Sequence, residues 1–398
     1  MIIAILSIVF SVGVMLHRIS PWKLQVKLFI GVSIIVTLVT YLLLSYLHQN
    51  IRSAYVRKNN KTTILMMYYP EKEFTQEQIV DMFRECPDLK CEFTHDERAI
   101  ADSAAVIIHN VEEHLYSMPK RQPGQLWLYY DLESPGFMMG SETATYLTNQ
   151  KMFNGTINYS PSSQVWLPYG KYNGTHIWIY NSIYYMFLDK RIDFAARKNK
   201  LLFWAVSNCY AKSKRQDYVK ELIKNVKVDI YGGCGPLNCP RSKDCENTLF
   251  KTYKFYLAFE NYVCQDYITE KLWLTLATRE TVPIVIGGAN HEKYLPPKSY
   301  IDIRDFATPA DLANYLQKLD KNDDLYNEYF SWRYKISPVF DFQKATPKQP
   351  LEYYVCQVCR LIHTPNLNRT YVDFVDFNND KRYCRNPSEY YKGLLPGY

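Results

Sequence analysis

Five polar side chains stand around a place that could hold a negatively charged leaving group. Glu260 and Asn261 end the apolar run 255–259, and Thr269, Glu270 and Lys271 follow at the expected start of a helix carrying Leu272, Trp273, Leu276 and Ala277 on one side. The next apolar run, 282–286, ends at Gly287-Gly288. Strand, helix and strand in that order predict a right-handed parallel unit, whose loop lies at the carboxyl end of a strand, where open α/β sheets take ligands. The N–H groups of the helix start and the Lys271 charge together suit an anion such as a diphosphate. Glu260 and Glu270 are acceptors only, suited to sugar hydroxyls. An ordinary capped helix with a solvated Glu–Lys pair would use the same residues.

A further carboxylate, Glu133, follows the strand expected at 125–130, inside Asp131-Leu132-Glu133-Ser134-Pro135. Placed there it projects into a crevice, or is simply an exposed loop acid. The glycine-rich turn Gly232-Gly233-Cys234-Gly235 lacks the six-residue dinucleotide fingerprint and opens no helix, so it carries little weight.

Tyr253-Lys254-Phe255-Tyr256-Leu257-Ala258-Phe259-Glu260-Asn261 with Asp266-Tyr267-Ile268-Thr269-Glu270-Lys271 resembles the signature of the α1,3-fucosyltransferases, glycosyltransferase family 10. The resemblance runs from about residue 61 to 384 and is densest at 199–332. It implies two Rossmann-like α/β domains facing a cleft, the GT-B arrangement, and GDP-β-L-fucose as donor. It places Glu133, by its Glu-Ser-Pro setting, as the base. Tyr159, Ser207, Asn208, Arg215, Tyr256, Glu260, Asn261, Tyr267, Glu270 and Lys271 would line the donor site. Arg215 suits a diphosphate because a guanidinium bonds it bidentately. After Tyr159 the chain departs from the family, with Ser160-Pro161-Ser162-Ser163-Gln164 in place of an Arg-rich, Asp-Ser-Asp stretch. That departure bears on acceptor choice.

The elements that must position these residues alternate along the chain. Strands are predicted at 64–69, 104–109, 125–130, 201–206, 228–231 and 300–303, with helices at 75–84, 213–224, 308–319 (Thr308 as cap, Pro309 first) and 322–332. The chain of 398 residues is 47% hydrophobic and 22% charged, and its net charge of +7 is spread, with no basic run to suggest nucleic acid. Residues 28–47 lack charge and are long enough to span a bilayer, and Arg18, Lys23 and Lys27 precede them. The positive-inside rule then puts the N-terminus in the cytosol and the body in the lumen. Residues 1–16 could be a second span, a re-entrant piece or the product of a start upstream of Met15. The expected order is a cytosolic segment 1–27, a transmembrane signal anchor 28–47, a stem 48–61 and an acceptor-side domain 62–196. A GDP-fucose-binding domain 197–336 follows, then an aperiodic segment 337–398 that packs back on the first domain. Sequons at Asn60, Asn154, Asn158, Asn173 and Asn368 all follow the span. The expected setting is the Golgi membrane, single-pass with a lumenal body.

Of ten cysteines, Cys86 and Cys91 with Cys356 and Cys359 have spacing that could hold zinc, but a lumenal compartment favours disulfides. The resemblance pairs Cys86 and Cys91 with Cys356 and Cys359. Pairing among Cys209, Cys234, Cys239, Cys245 and Cys264 is open. No Asp-x-Asp occurs, so Lys271 and Arg215 are expected to neutralise the diphosphate without a required metal, a divalent cation being at most stimulatory.

The resemblance implies inverting transfer of fucose from GDP-β-L-fucose to N-acetylglucosamine of a glycoprotein glycan, the acceptor partner being a glycoprotein or glycolipid glycan. Asn-Tyr-Val-Cys-Gln-Asp-Tyr and Tyr-Tyr-Val-Cys-Gln-Val-Cys look like the subgroup acting on the N-glycan core. Lewis-type transfer to N-acetyllactosamine or its GalNAc analogue is the alternative, and a non-catalytic Golgi glycan- or nucleotide-sugar-binding protein is the alternative of another class.

Overall fold

The computed structural model describes residues 31, 35–41, 62–67, 89–94, 96–109, 120–135, 137, 140–172, 177–179, 182–184, 192–240, 243–334, 350–364, 367 and 370–398. Residues 1–61 form one compact unit and 62–398 another. In the first unit, 35–41 are helical and exposed, and among the described residues no helix is long and apolar enough to cross a membrane. Most of the expected span, the stem, the 75–84 helix, Cys86, Asn60, Asn173 and Asn368 lie outside the described residues.

The larger unit holds two parallel sheets. The first runs β2-β1-β3-β4-β5-β6, from β1 (Thr62–Met67), β2 (Cys91–Thr94), β3 (Ala105–His109), β4 (Leu126–Tyr130), β5 (Gly155–Asn158) and β6 (Val165–Trp166). A small antiparallel sheet follows, of β7 (Gly170–Tyr172), β8 (Ile177–Ile179) and β9 (Ser182–Tyr184). The second parallel sheet runs β11-β10-β12-β13-β14, from β10 (Lys200–Ala205), β11 (Asp229–Tyr231), β12 (Tyr253–Phe259), β13 (Val282–Ile286) and β14 (Ile301–Asp302). Among the described residues, the longer helices of this unit are α1 (Ser141–Asn149, beside the first sheet), α2 (Arg215–Leu222), α3 (Lys243–Thr252), α4 (Glu270–Thr278), α5 (Pro309–Asp320) and α6 (Pro350–Ile362).

Parallel strands covered on both faces must be apolar on both, and β4 and β12 are buried at every position. The two-residue period divides β12 cleanly. Phe255, Leu257 and Phe259 join the core beneath α2 and α5, whereas Tyr256 and Ala258 join the core with Leu272, Trp273 and Leu276 of α4. Thr308 caps α5 as expected, its hydroxyl accepting from Asp311 N at 3.2 Å, with Pro309 at the first position.

Two expectations are corrected here. The segment after 337 is not aperiodic: α6 spans 13 residues and buries Val358 and Cys359 against the first sheet, where Cys359 is bridged to Cys91. Its apolar positions 351, 355, 358 and 362 recur every three or four residues, a signal masked by the flanking prolines. Nor does the tail stop at the first sheet. Phe374 packs there, but Cys384 is bridged to Cys264 and Tyr390, Tyr391 and Leu395 enter the core of the second sheet. The Tyr391 hydroxyl donates to Ser213 O at 2.9 Å. Cys356 is also disulfide-bonded, and further bridges join Cys209 to Cys234 and Cys239 to Cys245. Bridged Cys91 and Cys359 leave no thiolate there for zinc.

The sequons at Asn154 and Asn158 are structural amides, each 2% exposed, with no room for a glycan in the folded chain. Asn154 Oδ1 accepts from Trp127 N (3.0 Å) and from Arg121 Nη2, and its Nδ2 donates to Thr370 O (2.9 Å). Asn158 Nδ2 donates to Asp131 O at 2.7 Å. Peptide mass spectrometry should find both asparagines unglycosylated. Asn154→Ala should cost ~1–3 kcal/mol by orphaning a buried N–H, read as a lowered unfolding midpoint.

Candidate active site

The strand order of the second sheet reverses between β10 and β12, and open α/β sheets take ligands outside the carboxyl ends of the strands at such a switch point. The β10 end delivers Ser207 and Asn208, both exposed; the β12 end delivers Glu260 and Asn261. The loop after β10 is held in three ways. Gly233 N donates to Ser207 Oγ at 3.4 Å, Asn208 Oδ1 accepts from Tyr210 N at 3.2 Å, and the Cys209–Cys234 bridge ties the loop to the glycine turn. Gly232 sits at φ +94°, and a Cβ there would meet Val206 O at 2.6 Å. The turn given little weight in the sequence thus packs closely against the end of β10.

Arg215 opens α2 but is not an open phosphate fork. It is 4% exposed, its Nη1 donates to Phe259 O and its Nη2 to Asn208 O at 3.2 Å, and its guanidinium lies over Trp204 at 5.6 Å. Burial lowers its pKa from the ordinary arginine value. It staples the carboxyl ends of β10 and β12 together and puts a positive charge beneath the crevice.

Glu260 is also corrected. At 3% exposure it does not face sugar hydroxyls. Its carboxylate accepts from Thr269 N at 2.8 Å, from the Thr269 hydroxyl at 3.0 Å and from Lys271 Nζ at 3.3 Å. Burial pushes its pKa up, against the pull of Lys271. Thr269 is the N-cap residue of α4 without a side-chain cap bond, because its hydroxyl serves Glu260 and accepts from Lys271 Nζ at 2.9 Å. A third contact to Lys271 comes from half-exposed Glu270 at 3.4 Å. Burial opposes the Lys271 charge, but Glu260 and Glu270 outweigh it and hold the ammonium above its ordinary pKa. Lys271 is therefore a fixed cation at the N-terminus of α4.

Glu133 comes to the same place from the first sheet. Tyr267 donates to Glu133 Oε2 at 3.0 Å. Burial raises the Glu133 pKa, while Tyr267, Lys271 and Asn261 pull it down. Tyr267 is 1% exposed and packs between Tyr159 (centroids 4.9 Å) and Tyr169 (6.3 Å). Tyr159 and Tyr256, expected to touch a donor, are themselves 3% and 6% exposed; Tyr159 backs Tyr267, and Tyr256 packs on Phe203 at 4.9 Å. Glu270 and Lys271 keep a route to solvent, and Asn261 is half-buried.

Asp131 is a site residue that the sequence reading passed over, although an Asp in a loop after a strand can accept from the backbone N–H two residues on, as an Asx-turn. Its Oδ1 accepts from Glu133 N at 2.8 Å and its Oδ2 from the Tyr129 hydroxyl at 3.0 Å. Burial pushes its pKa up to about 6. With the folded pKa above the unfolded one, the folded chain holds the extra proton, so this stability is full below about pH 4 and lost as pH rises through 6. Asp131→Asn should flatten the stability–pH curve across that window, measured by denaturant unfolding at a series of pH values.

The segment that departs from the family pattern is a neutral turn. Gln164 Oε1 accepts from Thr156 N at 2.7 Å, and the Ser160 and Ser162 hydroxyls lie 2.9 Å apart.

Two family models match, "Fucosyltransferase, N-terminal" over residues 59–170 and "Glycosyltransferase family 10 (fucosyltransferase) C-term" over 195–377. "Glycoprotein 3-alpha-L-fucosyltransferase A" of Drosophila melanogaster is 32% identical over 333 residues, 81% of this chain and 61% of that protein, so the chain spans about three fifths of that relative. "4-galactosyl-N-acetylglucosaminide 3-alpha-L-fucosyltransferase FUT6" of Pongo pygmaeus is 36% identical over 268 residues, 64% of this chain and 70% of that one. A solved structure, an alpha1,3-fucosyltransferase with GDP, aligns with 77% of this chain and 92% of its own at 15% identity and a TM-score of 0.49. With both halves matched and a 36% identical relative covered over 70% of its length, the chain belongs to the glycosyltransferase family 10 fucosyltransferases.

Proposed function

We propose that the chain transfers fucose from GDP-β-L-fucose to a hydroxyl of N-acetylglucosamine in a glycoprotein glycan, forming an α1,3 linkage with inversion. The observation that carries this reading is Glu133, bonded by Tyr267 and drawn by the Lys271 charge at the start of α4. Glu133 takes the proton of the acceptor hydroxyl as its oxygen attacks the anomeric carbon. The bond to the diphosphate breaks on the opposite face, with positive charge developing on the sugar. The departing charge falls on Lys271 and the α4 N–H groups, with Arg215 beneath. Lys271 must give up one contact to receive the diphosphate. Glu270 is the one to yield, being half exposed and at 3.4 Å, whereas Glu260 and Thr269 stay in place. Glu260 is thus a positioning residue for Lys271. Ser207, Asn208 and Asn261 face the same crevice and suit the nucleotide and fucose hydroxyls. The two parallel sheets, with their helices, act as the halves of a GT-B enzyme. Transfer is expected without a required metal.

The N-glycan core is the acceptor favoured by the motif resemblance and by similarity to the fly glycoprotein enzyme. Lewis-type transfer is the second reading, favoured by the similarity to an N-acetylglucosaminide enzyme over 70% of its length. The disulfides suit a lumenal body, anchored in the Golgi membrane by residues 28–47. The test offers core N-glycopeptide and N-acetyllactosamine in parallel with labelled GDP-fucose, with and without EDTA. Transfer to the glycopeptide alone supports the core reading, to lactosamine alone the second. Neither acceptor accepting label, while GDP-fucose binds, would support a non-catalytic binding protein.

A further inference from the structure

Beside the Glu133 site lies a hollow of about 220 Å³ that none of these steps uses. Trp166 of β6, Tyr169, and Tyr172 of β7 line it, together with Trp273 of α4 and Tyr294. The volume falls below the roughly 300–1,000 Å³ of sites for drug-sized ligands and matches the scale of a single sugar ring. The rings are held open rather than collapsed on one another. Trp166 Nε1 donates to Tyr159 O at 2.9 Å, Tyr169 donates to Leu132 O at 3.0 Å, and Tyr294 donates to Asp266 at 2.6 Å. Lys171, Lys293 and Asp266 supply polar groups to the lining; Lys171 Nζ lies over one face of the Trp166 ring at 5.1 Å and Lys293 Nζ over one face of Tyr294 at 4.8 Å, so each ring has its other face to offer. Several aromatic faces with a few polar groups around one ring-sized space is the composition that binds the C–H face and the hydroxyls of a pyranose. Tyr159 and Tyr169 line the hollow and also pack on Tyr267, so the contact path from the hollow to Glu133 runs through two rings in turn. Pro161, from the segment that departs from the family pattern, is part of its wall.

We propose that this hollow is a subsite for a sugar of the acceptor glycan other than the one that receives fucose. The proposal rests on the transfer reading above. It gives the neutral 160–164 turn a role in acceptor choice.

The test measures glycan binding apart from transfer, on the full chain with GDP present. Saturation-transfer NMR and titration compare an acceptor oligosaccharide with a simple N-acetylglucosamine glycoside. The oligosaccharide should bind more tightly, and Trp166→Ala and Tyr294→Ala should each weaken it about tenfold, the scale of one lost aromatic contact. Affinities for the simple glycoside and for GDP should not change. Equal binding of the two glycans by the unaltered chain, or variants that leave their difference intact, would overturn the subsite. Amide exchange on the unaltered chain needs no variant: residues 166–172 should gain protection with the oligosaccharide only, and unchanged exchange there also overturns the proposal. Failure of the transfer reading shows separately, as GDP-fucose left unconsumed while the binding pattern persists.

Discussion

Glu133→Gln is expected to fold, to bind GDP as the unaltered chain does, and to lose ~10²–10⁴-fold in turnover, the range contributed by a positioned general base. The substitution keeps the shape and an acceptor for the Tyr267 hydroxyl, so the fold loses little. What goes is the capacity to take a proton. The same assignment fixes a pH dependence. Burial holds the Glu133 pKa above the ordinary glutamate value, and the carboxyl must be ionised to act. Turnover should therefore fall on acidification along a limb whose midpoint lies above that of a free glutamate, and the limb should vanish in the Gln variant. A variant with normal turnover would place the base elsewhere.

Lys271→Ala is the second large effect, a loss of at least ~10²-fold in turnover, the scale of removing one key electrostatic donor. Here the fold pays too. Glu260 is buried, and without Lys271 its carboxylate keeps Thr269 but loses its counter-charge. Breaking a buried pair from one side costs ~3–5 kcal/mol. The variant alone would thus mix a chemical loss with a structural one. Lys271→Ala combined with Glu260→Gln separates them, because a neutral amide needs no counter-charge. The double variant should regain much of the unfolding midpoint and none of the turnover. Turnover recovering along with stability would show that Lys271 acts only as a scaffold.

The two residues show how far the sequence alone reaches. Local pattern suffices where an element is decided by its own side chains: the buried run 282–286 is a strand with those bounds, and Thr308-Pro309 starts α5. The unit 253–286 is legible for the same reason, since its apolar runs, helix face and glycines are contiguous. What sequence does not carry is which polar atoms face inward. Glu260, Glu270 and Lys271 all read as crevice residues, yet Glu260 is turned under Thr269 while Glu270 stays half exposed. Arg215 reads as a phosphate ligand until two strand-end carbonyls are found on its fork. Sequons report three residues only, so Asn154 and Asn158 look accessible although both lie in a strand setting covered on each side. The meeting of Glu133 with Tyr267 depends on residues 134 apart, and no local spacing encodes it. The tail is a similar case: its tyrosines enter the second core only because the Cys264–Cys384 bridge and the surrounding contacts bring the chain across.

The most direct test of the central claim is the linkage formed. The full chain is incubated with GDP-β-L-fucose carrying ¹³C at the anomeric carbon and a core N-glycopeptide, and the product is read by NMR. The account predicts fucose joined to O3 of N-acetylglucosamine with the anomeric centre inverted from β to α, and the same product formed ~10²–10⁴-fold more slowly by Glu133→Gln. A β-linked product, or α-linked product at an unchanged rate from Glu133→Gln, would contradict a single displacement with Glu133 as its base.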